Sequence, residues 1–202
     1  MAGAPLLYTP PGYTTTNVTY GIGIAFTAVT GTAVPSDQNL GVGTAWTGLG
    51  WAYVGATLDG VTVTFAPTTQ NIVIEEQPTP VGVAVSTADL TVTMNLSEET
   101  LGNVNLSWGN GGTIAVTAPG ASQPGKSVLT LSTNFQSMSV ALVGKNAFGY
   151  AGVLYIPTVI SAGQVQTAYR RAAQQRVYPL TLSAICPFNT ITWSELTSIA
   201  TS

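Results

Sequence analysis

Any reaction performed by this chain has to be built from eight Asp and Glu, five Lys and Arg, one cysteine and eight tyrosines, because its 202 residues include no histidine. Without imidazole neither a Ser-His-Asp nor a Cys-His constellation can form, and the commonest general base is missing. A histidine-based zinc site is excluded too, and the lone thiol of Cys186 does not replace one. Glu75 and Glu76 are adjacent, so in a regular strand they point to opposite faces and do not cooperate as an acid and base pair. Asp37, Asp59 and Asp89 are too scattered for a calcium loop, which needs acidic residues at alternate positions. Glu98 and Glu99, just after Ser97, read as charges at a helix start, where the dipole favours them. The residues therefore predict no catalytic, metal or cofactor site, and no enzyme.

Two glycine-rich stretches, Gly41-Val42-Gly43-Thr44-Ala45-Trp46 and Gly48-Leu49-Gly50-Trp51-Ala52-Tyr53, begin like dinucleotide loops. Each lacks the third glycine and is predicted to have no helix behind it, so a flexible or closely packed loop is expected. Trp46 and Trp51 could stack on a sugar or base, but aromatic side chains more often anchor protein contacts. Asn17, Asn95 and Asn105 each begin a glycosylation tripeptide, which means nothing without an export signal.

Alternation with period two supplies the elements that would position these residues. Leu90, Val92, Met94 and Leu96 lie on one face of a predicted half-buried strand, against Thr91, Thr93 and Asn95 on the other. The same pattern runs through Val61 to Phe65, Ile72 to Glu75, Ile114 to Val116, Val128 to Leu131, Met138 to Val143, Phe148 to Ile156 and Val177 to Ala184. Turns are predicted at Asp59-Gly60, at Gly109 to Gly112 and from Pro119 to Gly125. Ser97 is read as the cap of one short helix, about Glu98 to Ser107, with Leu101, Val104 and Trp108 as its packing stripe. Many short strands and one helix predict a mainly β, α+β fold, an antiparallel sandwich or barrel.

Charge is sparse: Asp, Glu, Lys and Arg make up 6% of the chain, against about a quarter in an ordinary domain. A membrane, neighbouring copies or a neutral surface of Thr, Ser, Asn and Gly would each account for that. No window reaches the roughly 18 consecutive apolar residues of a spanning helix. Met1 to Thr16 carries no basic residue and does not read as a signal peptide, so folding in a cytoplasm is expected. The net charge of −3 and the scattered basic residues, Lys126, Lys145, Arg170, Arg171 and Arg176, argue against a nucleic-acid binder.

What remains is a binding or assembly protein. The stretch Trp46 to Gly55, followed by Asp59-Gly60-Val61-Thr62-Val63, resembles the region of phage tail tube proteins where a tryptophan-glycine-aromatic segment precedes an acidic-glycine turn and a strand. Downstream, Ile72 to Gln77, Thr79-Pro80-Val81, the strand Ala88 to Leu96 and the Ser97 helix are similar to that family in order. Near the end, Ile156 to Val159, Gln164 to Arg171 and Val177 to Leu182 resemble its closing hairpin.

The resemblance implies a major tail tube protein of a long, non-contractile-tailed bacteriophage. Such a chain is a structural virion protein, assembled in the host cytoplasm. It forms homo-hexameric rings whose sheets join into a β-barrel lumen, and the rings stack into the tube that delivers phage DNA. Tape measure, tail terminator and distal tail proteins are the implied partners, and double-stranded DNA passes without specific binding. Residues 1–186 would form one tail tube domain, with an N-terminal arm over 1–16, a long loop over about 34–60 reaching the adjacent ring, and an extension over 187–202. Trp46, Trp51 and Tyr53 are the expected ring-contact anchors. A basic bore would trap DNA, so Arg170, Arg171 and Arg176 are expected to pair with acids at subunit contacts or to sit on a solvated hairpin tip. The competing expectations are another β-sandwich virion protein, such as a capsid decoration or head-tail connector component, and an adhesin-like binding domain.

Overall fold

The alternating segments become strands of two antiparallel sheets in the computed structural model, which describes residues 23–146, 149–166 and 176–198. In chain order the elements are β1 (Ile24–Val29), α1 (Gly43–Gly48), β2 (Ala52–Tyr53), β3 (Thr57–Ile74), β4 (Gln77–Leu96), α2 (Leu101–Ser107), β5 (Thr113–Thr117), β6 (Lys126–Thr130), β7 (Met138–Lys145), β8 (Ala151–Ser161), β9 (Tyr178–Ala184) and β10 (Thr192–Glu195). The fold is mainly antiparallel β, as the alternation predicts. β5 and β6 form a separate hairpin, while the main sheet runs β2-β1-β7-β8-β9-β4-β3, with β10 beside the start of β8.

Three residues roll that sheet up. Laid flat, its outermost strands would lie about 29 Å apart at the usual strand spacing. The chain from Tyr53 at the end of β2 to Thr57 at the start of β3 reaches at most about 15 Å. The sheet must therefore curl until its two ends meet, and backbone bonds seal the junction. Val54 donates to the Ala25 carbonyl at 3.1 Å, and Ser97 donates to the Ala56 carbonyl at 2.9 Å. The Glu98 carboxylate accepts from the Ala56 amide at 2.8 Å. Between them Gly55 has φ of +95°, and a Cβ there would stand 2.8 Å from the Glu98 carboxyl carbon.

Inside the roll lie Leu90, Val92, Met94 and Leu96 of β4, Leu180 and Leu182 of β9, Ile156 of β8 and Val140 of β7, with Leu106 of α2 packed in among them. The opposite face of β1, β7 and β8 has its own core, where Phe26, Ala141, Val143 and Val153 are covered by Leu40, Trp46 and Trp51. Residues 34–60, expected as a long loop, are folded onto the sheet, and the first glycine cluster, expected to have no helix behind it, opens one, α1. Aromatic burial outweighs the two helix glycines. The Trp46 ring stacks on Phe26 at 5.1 Å and meets Trp51 edge-on at 5.2 Å. Both indole N–H groups are satisfied, Trp46 by the Leu40 carbonyl and Trp51 by the Ala33 carbonyl, each at 2.8 Å.

Three further expectations change in detail. Val61 to Phe65 and Ile72 to Ile74 are parts of one strand, β3, and Glu75, expected in a strand, lies in the turn after it. Asp59 and Gly60 do not end a hairpin; with φ of 65° and 76° they form a bulge between the pairs Leu58↔Asn95 and Val61↔Met94. The helix begins later than Ser97 suggested, because Thr100 accepts from the Asn103 amide at 3.1 Å and caps it. Asn103, Leu106 and Ser107 are the buried side chains of α2, and Trp108 is exposed.

Candidate assembly surface

β4 is hydrogen-bonded to β9 only from Thr91 to Leu96. From Leu90 back to Gln77 its only partner among the described residues is β3, and β3 is the edge of the sheet they form. A two-stranded ribbon about 45 Å long thus leaves the body. Opposite residues share a face, so across the register shift at Thr68/Thr69 the core face of Leu90 and Val92 continues as Val63, Phe65, Pro67, Thr69 and Asn71 on β3 and Ala88, Val85 and Val83 on β4. Within the body this face is core. Along the ribbon it is bare: Phe65 is 57% exposed, Val83 62% and Val85 63%. Phe65 meets one aromatic ring, Phe188, edge-on at 5.4 Å. Pro67 lacks an amide donor and fits an edge strand for that reason. Between Asp59 and Asp89 the only charges are Glu75 and Glu76 at the ribbon tip.

The opposite face is a lattice of hydroxyls. Thr62, Thr93 and Thr181 form one row across β3, β4 and β9, and Thr64, Thr91 and Ser183 form the next. Asp89 continues this face along β4.

At the other end of β4 an apolar cleft of about 480 Å³ opens beside α2. Trp108, Leu131, Phe135 and Val165 line it, and the Phe135 ring lies where a Cβ on Gly109 would stand. Ser161 closes its floor by donating to the Ser107 carbonyl at 3.1 Å. The adjoining Arg176 pairs with Glu99. Beside this pair the Tyr178 hydroxyl is held above its ordinary range, first by burial, with Glu99 adding to the rise and the Arg176 hydrogen bond opposing it.

Of the expected contact residues, Trp46 and Trp51 are 0% and 2% exposed and belong to the second core. Tyr53 lies exposed on β2. Arg176 finds its acid within the chain, and Arg170 and Arg171 lie outside the described residues. The ribbon face was missed, although a signal existed: nearly thirty residues with charge only at the centre, where Glu75-Glu76 makes a two-residue connection. Among the described residues there is no cluster of His, Cys, Asp or Glu that could hold a metal, and no helix long and apolar enough to cross a membrane. No protein-family model matches this chain, and no curated protein matches it.

Proposed function

We propose that this chain is a structural virion protein whose copies assemble into hexameric rings, stacked as the tail tube of a non-contractile phage tail. The observation that carries this reading is the β3–β4 ribbon, whose core-type face is covered, among the described residues, by little beyond the Phe188 ring at Phe65. An isolated two-stranded hairpin is marginal in water, so a ribbon this apolar calls for a protein surface against it. Its free edge asks for the same, because an uncapped strand edge pairs with whatever strand it meets unless assembly closes it.

The hydroxyl lattice suits the wall of a bore. It carries no cation, so duplex DNA, with one charge per roughly 1.7 Å, would pass without being held. Tape measure, terminator and distal tail proteins would bind the column at its axis and ends. The reach toward the neighbouring ring, first ascribed to residues 34–60, is better ascribed to the ribbon. Negative-stain microscopy of the purified protein tests the reading, with six-membered rings or hollow tubes expected. Compact monomers at every concentration would refute it.

A further inference from the structure

We infer that the ribbon of one copy docks into the α2 cleft of a second copy, a head-to-tail contact that rests on the self-assembly reading and specifies its interface. Both surfaces are apolar and bare. The ribbon offers Phe65, Val73, Val83 and Val85, and the cleft offers Trp108, Leu131 and Phe135. At about 480 Å³ the cleft falls in the range of roughly 300–1,000 Å³ that encloses a compact apolar group. The ribbon cannot fill its own cleft. Ser161 of the cleft is level with Val92 of β4 by way of Leu182, and the stretch of β4 from Gln77 to Val92 holds tip and cleft roughly 50 Å apart along the ladder.

Charge selects the same pairing. Glu75 and Glu76 at the tip have no basic partner among the described residues. At the α2 end both acids are engaged, Glu98 by the Ala56 amide and Glu99 by Arg176. The unengaged charge on that side among the described residues is Lys126, paired with Thr117 at the far end of the β5–β6 hairpin, whose near end, Thr113 and Thr130, adjoins the cleft. Free negative charge at one end and free positive charge at the other favour a head-to-tail contact over a ribbon-to-ribbon one, which would bring four carboxylates together. A contact between two different surfaces leaves each copy with one of each unused, so the assembly grows.

Two variants separate the surfaces. Val83→Asp with Val85→Asp disables the ribbon, and Phe135→Asp disables the cleft. Each alone is expected to raise the concentration needed for assembly by at least about tenfold. Mixed one to one, they should reach a mass that neither reaches alone, because one intact ribbon meets one intact cleft. Light scattering after size exclusion reads the mass. A mixture that stays monomeric, or either variant assembling as wild type does, overturns the inference while leaving the tube reading standing. Wild type that never assembles overturns both. Should Phe135→Asp fail to fold, charge reversal takes its place. Glu75→Lys with Glu76→Lys should weaken assembly, and adding Lys126→Glu should restore it. No restoration counts against the contact.

Discussion

Trp46 shows how a side chain that looks like an anchor for a partner becomes an anchor for its own sheet. Its ring covers Phe26, and its indole N–H has a carbonyl within the chain. Trp46→Ala should therefore cost about 3–5 kcal/mol in denaturant unfolding, as large core deletions do. Tyr53→Ser should stay within about 0.5 kcal/mol. The sequence told that aromatics cluster here; it could not tell which indole finds a carbonyl, because Leu40 and Ala33 are brought up by the fold. The acids also changed role. Glu98 and Glu99, expected as charges in a helix start, lie before it instead: α2 has no acid in its first turn, Glu98 serves the barrel seam, and Glu99 pairs with Arg176. Tyr178 gives a pH test. Its pKa is raised, so the stability it contributes is full below its unfolded value of 10.0 and is lost as pH climbs through the higher folded value. Unfolding midpoints should fall more steeply above that point in the wild type than in Tyr178→Phe.

Among the elements, the seam between β2 and β3 is the most exacting. Gly55→Ala places a Cβ against the Glu98 carboxyl at positive φ, and a loss of at least about 1–2 kcal/mol is expected in thermal or chemical denaturation. Period-two alternation made the strands legible, and it located β7 and β9 nearly to the residue, while of β4 it found the end from Ala88 to Leu96 and not the ribbon from Gln77. Turn chemistry misled where it was strongest. Asp59-Gly60 has the dihedral angles of a hairpin turn, yet β4 pairs with β3 on both sides of it and turns it into a bulge. Pairing partners far along the chain decide between those outcomes, and a local pattern does not contain them. The same holds for α2, where Ser97 and Thr100 are both capping residues and the seam claims the backbone of Ser97.

For the whole molecule, sparse charge and a bare ribbon are one fact. A surface meant for copies of itself needs little ionisation. Amide exchange measures this: residues 65–90 should exchange rapidly in the isolated chain and become protected on assembly, while Val140, Ile156 and Leu180 are protected in both. Rolling was the part least open to reading from sequence, since it depends on strand order. Strand order has one more consequence. β1 finds its place only against β7, and Gly31 meets the Ser139 hydroxyl 108 positions further on. At about 5–20 residues per second, a ribosome releases that partner roughly 5–20 s after β1. Until then two indoles lack the floor of Ala141, Val143 and Val153 that will cover them. A cell making this chain in quantity holds many half-finished polypeptides with sticky aromatic surfaces, so yield depends on keeping nascent chains apart on crowded polysomes.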